Sequence, residues 1–140
     1  MEKNSIDIVN FEFKARCLID RELINLGFRY SFKGTRYIAD IMLFTLRHGE
    51  NYLLEPCCKV IYPEVAKLRA VSWRAVERNI RYAIGEAWLH GNIEKLWKIF
   101  PRCAENDSRP SNMEFLQRFS RLALFKVHKE LCSDFTISRK

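Results

Sequence analysis

Ser72-Trp-Arg-Ala-Val-Glu-Arg-Asn-Ile-Arg-Tyr-Ala-Ile-Gly-Glu-Ala-Trp-Leu-His90 decides the fold of this chain. Val76, Ile80, Ala83, Ile84, Ala87 and Trp88 recur at helical spacing, which predicts a helix whose apolar stripe enters a core. Arg74, Arg78 and Arg81 fall at i, i+4 and i+7 and share the opposite face. A shorter helical pattern, Pro63 to Arg69, precedes this helix across a brief break. A helix, a tight turn and a longer helix with an arginine-lined outer face is the pattern by which a helix-turn-helix protein reads a major groove.

Upstream, residues 1 to about 10 are polar and read as loosely held. Phe11 to Leu26 predicts an amphipathic helix, with Phe11, Ala15, Leu18, Ile19, Leu23 and Leu26 inward and Gly27 as its stop. Phe28 to Lys33 is an aromatic connector, in which Phe28, Tyr30 and Phe32 read as buried rather than as a base-stacking platform. Thr35 to Arg47 predicts the next helix, buried through Tyr37, Ile38, Ile41, Met42, Thr45 and Leu46. Tyr52 to Ile61 reads as a third, its regular part beginning near Pro56, and Tyr62-Pro63 marks the boundary before the short helix. Ser72 is the expected N-cap of the long one.

Downstream, His90-Gly91-Asn92 ends the long helix, and Ile93 to Phe100 forms another. Residues 101 to 110 read as a loop. Ser111 to Glu114 is a capping box, Ser and Glu each able to satisfy an otherwise unpaired backbone N–H. It opens a last helix with Phe115, Leu116, Phe119, Leu122, Ala123 and Val127 inward. Trp88 and Trp97 are assigned to the core, and the tail from Ser133 reads as frayed. The expectation is an all-α single domain of about six helices containing a helix-turn-helix.

Composition agrees. The 140 residues are 48% hydrophobic and 13% aromatic, enough for a core without disulfides or metal. Five Gly and four Pro leave little room for the tight turns of an all-β protein. No apolar run approaches the roughly 20 residues of a membrane span, and the N-terminus lacks the features of a secretory signal. A cytoplasmic location is expected, with no membrane partner. Cys17, Cys57, Cys58, Cys103 and Cys132 form no C-x-x-C pair, and His48, His90 and His128 are scattered. Neither metal nor other cofactor is expected, and the thiols read as buried and reduced. There is no nucleophile elbow, Gly-rich phosphate loop or carboxylate pair beside a histidine, so neither enzyme activity nor a small-molecule substrate is expected. His90 reads as a C-terminal helix residue favourable to the dipole. A net charge of +7 favours polyanionic partners, nucleic acid before an anionic membrane.

Ile61-Tyr-Pro-Glu-Val-Ala-Lys67, followed by Val76-Glu-Arg78, Ile80-Arg81, Ala83-Ile84 and Ala87-Trp88, resembles the C-terminal DNA-binding domain of the stage-zero sporulation protein A family of response regulators. The resemblance continues through Gly91-Asn92-Ile93 and resumes at Pro110-Ser-Asn112 and Glu114-Phe115. Upstream it includes Leu26-Gly27 and Lys33-Gly34, so that it spans roughly Leu18 to Phe125. It divides the chain into an extension and start of the first helix (1–17), the domain (18–132) and a tail (133–140).

The resemblance implies a six-helix domain whose helix-turn-helix docks on a short operator, often as tandem copies. Pro63 to Leu68 then resembles the supporting helix and Ser72 to His90 the recognition helix. The family's DNA-contacting positions fall on Glu77, Arg78 and Arg81, which keep the family residue types. Where the family usually has a small residue, Ser and Arg, this chain has Trp73, Arg74 and Ala75. An arginine is thus displaced by one position, about 100° around the helix, and the bases read are expected to differ. Full-length relatives carry a phosphoacceptor receiver before this domain. Residues 1–17 leave no room for one, so control by receiver phosphorylation is not expected.

An arginine in the N-terminal half of a recognition helix can bond guanine O6 and N7 bidentately, with about 1–3 kcal/mol of discrimination. Arg74, Arg78 and Arg81 are the candidates, the last two addressing neighbouring bases or one base and one phosphate. Glu77 can accept from cytosine N4 or orient Arg78 or Arg81. Lys59, Lys67, Arg69, Lys33 and Arg109 are candidates for phosphate contacts that set orientation without reading sequence. Trp73 can pack into the turn, touch a thymine methyl or sugar, or mediate dimerisation. The function expected is a sequence-specific, double-stranded DNA-binding transcription regulator, paired as a homodimer on DNA because one footprint is small. Two rivals remain: a protein-interaction module that dimerises with or antagonises a full-length regulator, and a nonspecific nucleic-acid binder.

Overall fold

Helix α2 (Lys33–His48) lies at the centre, because its apolar residues surround it: Ile38, Ala39, Ile41 and Met42 are all fully buried. The computed structural model describes residues 5–54 and 57–132. Around α2 run α1 (Ser5–Asn25), α3 (Tyr62–Arg69), α4 (Trp73–His90), α5 (Ile93–Ile99), α6 (Pro101–Asn106) and α7 (Asn112–Val127). A 3-10 turn (Glu50–Leu54) and a π-helical turn (Cys57–Ile61) join α2 to α3, and a second π-helical turn (His128–Cys132) follows α7. No strand occurs among the described residues. The protein is the all-α domain that the periodicity predicts.

Two close approaches fix how α4 sits. At Gly34 a Cβ would stand 2.0 Å from the carbonyl oxygen of Asn79, so α2 and α4 cross backbone to backbone. Gly27 ends α1 with φ +95°, a left-handed conformation that glycine adopts without penalty. A Cβ there would meet Gly91 Cα at 2.4 Å, and the Asn92 N–H donates to the Leu26 carbonyl at 3.0 Å. The turn after α1 is thus clamped onto the turn after α4. Beside it, Phe28, Trp88, Phe100, Phe115 and Phe119 form an aromatic cluster with ring centroids 5.1–6.5 Å apart.

Several local expectations need correction. Helix α1 begins at Ser5, not near Phe11: once a helix is docked, each added residue gains a hydrogen bond without a new nucleus. The single helix expected over Tyr52 to Ile61 is two separate turns. Pro63 has no N–H to give to the Lys59 carbonyl, so an α ladder cannot run unbroken into α3. The expectations at Pro56 and for the tail from Ser133 lie outside the described residues.

Residues 101 to 106 of the expected loop are helical. Pro101 supplies the preset φ of a first turn, while Cys103 is this helix's sole buried residue, too little apolar pattern to be seen in sequence. Trp97 is 39% exposed rather than core, because the short α5 turns only Leu96 fully inward. In the connector Phe28 is buried and Phe32 half-buried, but Tyr30 is exposed. Cys103 is buried as expected, whereas Cys17 is exposed.

Candidate nucleic-acid interface

The turn between α3 and α4 is three residues long and conformationally defined. Ala70 takes the left-handed region (φ 57°, ψ 47°), which costs a non-glycine residue about 1–2 kcal/mol. Its N–H and that of Val71 both return to the Ala66 carbonyl, closing the end of α3. Ser72 is extended, and its Oγ accepts from the Ala75 N–H at 3.1 Å, capping α4. Val65 and Ala66 of α3 and Val76 and Ile80 of α4 are buried beneath the turn. These features hold the two helices at one angle.

On α4 the predicted apolar stripe is inward: Val76, Ile80, Ala83, Ile84 and Ala87 are buried, and Trp88 is half-buried against the core. Arg74, Arg78 and Arg81 are exposed, as the opposite face requires. Their surroundings differ. Arg81 is paired with Glu77 one turn earlier. Arg74 lies over the ring of Trp73 at 5.0 Å, a cation–π contact, while Trp73 packs partly against the core. Arg78 has no hydrogen-bond or ion-pair partner among the described residues. Ala75 is half-buried under the cap.

Two features of this face escape sequence reasoning. Tyr82, one turn beyond Arg78, is 56% exposed and meets Phe32 edge-on at 5.5 Å. Its i+4 spacing from Arg78 was the available signal. Gly85 falls seven residues after Arg78, on the same arginine face, yet it is buried. Arg109 covers it: a Cβ on Gly85 would stand 2.3 Å from Arg109 Nη1. Where α4 lacks a side chain, the loop between α6 and α7 lays a guanidinium, and the basic row continues through Arg109.

That loop is tied down. Asp107 ends α6 in the left-handed region, and the capping box of α7 is complete: Glu114 N–H to Ser111 Oγ at 3.2 Å, Ser111 N–H to Glu114 Oε1 at 3.1 Å. Asn112 Nδ2 donates to Tyr62 Oη at 3.1 Å and to the Glu77 carbonyl at 3.0 Å, joining α7 to α3 and α4.

Among the phosphate candidates, Lys33 is exposed at the start of α2, next to the Phe32–Tyr82 contact. Lys67 is exposed in the last turn of α3 and Lys59 in the turn preceding it. Arg69 is engaged inward: its Nε and Nη2 donate to Asp40 at 2.8 and 2.7 Å. Those hydrogen bonds hold Arg69 more basic than an ordinary arginine. Asp40, with its side chain 1% exposed, also accepts from Arg16 Nη1 at 2.7 Å. The sequence signal for this network was a carboxylate inside the buried stripe of α2, which demands a cationic partner.

The described residues contain no group of three or more His, Cys, Asp or Glu that could hold a metal, and no helix long and apolar enough to cross a membrane. A family model described as sporulation initiation factor Spo0A C terminal matches residues 19–122, from the middle of α1 into α7.

Proposed function

The chain belongs to the sporulation initiation factor Spo0A C-terminal family of DNA-binding regulator domains, and from that premise we propose sequence-specific reading of double-stranded DNA by α4. The observation that carries the proposal is the outward row of Arg74, Arg78 and Arg81, continued by Arg109 over Gly85, on a helix whose other side is buried. Arg78, unpartnered, is the principal base reader, suited to guanine O6 and N7. Glu77 orients Arg81 for a neighbouring base or a phosphate. Arg74 is steadied by Trp73, so these two positions set how this chain's target differs from that of its relatives. Lys33, Lys59, Lys67 and Arg109 contact phosphates along the flanks. Arg69 serves the architecture of α3 through Asp40.

The test is selection of bound sequences from a random duplex pool, then mobility shifts of the selected and a scrambled duplex across a salt series. The selected duplex should bind more tightly at every salt concentration. Arg78→Ala should narrow the ratio by the loss of one bidentate contact, about 1–3 kcal/mol. Lys67→Ala should weaken both duplexes alike and reduce the salt slope by about one. Equal affinity for both duplexes would overturn sequence-specific reading. Binding to neither would point to a protein-interaction module.

A further inference from the structure

Helix α4 has a different neighbour on each side of its arginine row. With Arg78 at the centre of the outer face, Arg81 and Glu77 fall about 60° and 100° to one side, and Tyr82 about 40° to the other. On the first side the loop between α6 and α7 closes in, and Glu77, Arg81 and Arg109 line one hollow. On the second stands the start of α2, where Gly34 meets the Asn79 carbonyl and Phe32 meets Tyr82 edge-on at 5.5 Å. The helix lies between two shoulders, each built from a different part of the chain.

The second shoulder has the chemistry for a contact of its own. The Tyr82 ring leans on Phe32 at an interplanar angle of 72°, which steadies the phenol while most of it stays exposed. Its hydroxyl has no hydrogen-bond partner among the described residues. Lys33, next to Phe32 in the chain, is exposed. An apolar ring with a polar tip, beside a cation and an arginine row, fits a sugar–phosphate unit. The ring can lie against a deoxyribose while the hydroxyl donates to a phosphate oxygen. Position selects the strand. A helix about 10–12 Å across fills a major groove roughly 12 Å wide, so its two flanks face the backbones of different strands.

We propose that Phe32, Lys33 and Tyr82 form a shoulder for the backbone of one DNA strand, across the major groove from the strand held by Arg109, with the Tyr82 hydroxyl donating to a phosphate. The inference rests on the reading of α4 as the DNA-binding helix and adds what holds that helix in register. Gripped from both walls of the groove, α4 cannot roll about its axis, and Arg78 meets a defined base. The tyrosine is neutral, so its contact releases no counterion and differs in salt dependence from that of a lysine or arginine.

The experiment measures duplex binding by the full chain and its Tyr82→Phe, Lys33→Ala and Arg109→Ala variants across a salt series. Tyr82→Phe keeps the ring and its contact with Phe32, so the circular dichroism spectrum and thermal melt should not change. It should weaken selected and scrambled duplexes by the same factor, on the order of three- to tenfold, with the salt slope unchanged. Lys33→Ala should weaken both and lower the slope by about one. Selected duplexes with a neutral methylphosphonate at one phosphate at a time then locate the contacts. At one phosphate the loss seen with wild type should shrink in Tyr82→Phe. That phosphate should lie on the opposite strand from the one whose loss shrinks in Arg109→Ala. Wild-type affinity in Tyr82→Phe would overturn the proposal, as would finding both phosphates on one strand. The two readings fail separately. Equal affinity for selected and scrambled duplexes would end base reading yet leave the Tyr82→Phe loss measurable, whereas a discriminating protein indifferent to Tyr82→Phe would lose only this shoulder.

Discussion

Arg69 of α3 lies fork-on against Asp40 of α2, giving Nε to one carboxylate oxygen at 2.8 Å and Nη2 to the other at 2.7 Å. Arg16 of α1 reaches the same carboxylate from the other side, also at 2.7 Å. One buried charge therefore links three helices, one of them the helix that supports α4. Bidentate arginine–carboxylate geometry adds direction as well as strength, so the network sets the orientation of α3 on α2.

Asp40→Ala should remove that restraint and leave two guanidinium groups without their acceptor. Both arginines keep partial access to water, their side chains being 21% and 34% exposed. The loss should therefore be about 3 kcal/mol, the low end for a broken buried pair. Thermal melts should show a fall of about 10 °C for a domain of this size. A change within error would mean that the network adds nothing net.

Gly85→Ala separates stability from binding. Alanine is favoured over glycine inside a helix by about 1 kcal/mol, and the atom in its way is the far end of the flexible Arg109 side chain. The melting temperature should hold or rise while duplex affinity falls, as it should in Arg109→Ala. Unchanged affinity in both variants would remove Arg109 from the interface.

Glu12 supplies a pH-dependent contribution. Its hydrogen bonds from Arg47 hold the carboxyl below the ordinary glutamate value of 4.5. A depressed folded-state pKa means stability that is present above that value and lost as the pH falls through the lowered one. Glu12→Gln should therefore cost a fraction of a kcal/mol at neutral pH, as an exposed pair allows, and cost nothing once acid has protonated the wild type. Denaturant midpoints at neutral and acid pH would show whether the gap closes.

Ser72→Ala removes the acceptor for the Ala75 N–H. The expected cost is about 1 kcal/mol. The first turn of α4, which carries Arg74, should fray, seen as faster amide exchange at Ala75 relative to Ala83. Equal exchange in the variant and wild type would show that packing under Trp73 alone holds this turn.

The elements read most directly from sequence were those with a long apolar repeat. Along α4, α7 and the inner face of α1, three to five buried apolar residues at helical spacing meet one core. The caps were equally legible, since Ser72, Gly27 and the Ser111–Glu114 box act within three residues of the ends they close. Helix α6 was missed because a six-residue helix turns only Cys103 inward, and Trp97 was misplaced because α5 is nearly as short.

By itself, the sequence determined the long helices, their caps, the inward and outward faces of α4, and therefore that Arg74, Arg78 and Arg81 emerge together. Each of these follows from a fixed period or a hydrogen bond of short range along the chain. Only the tertiary structure decided that Arg69 turns to Asp40, 29 residues away, that Arg109 occupies the space over Gly85, and that Tyr82 joins the outer face against Phe32. The physical reason is distance along the chain. A buried carboxylate announces that it needs a cation, and a glycine on a basic face announces a gap, but which side chain arrives depends on how the helices cross.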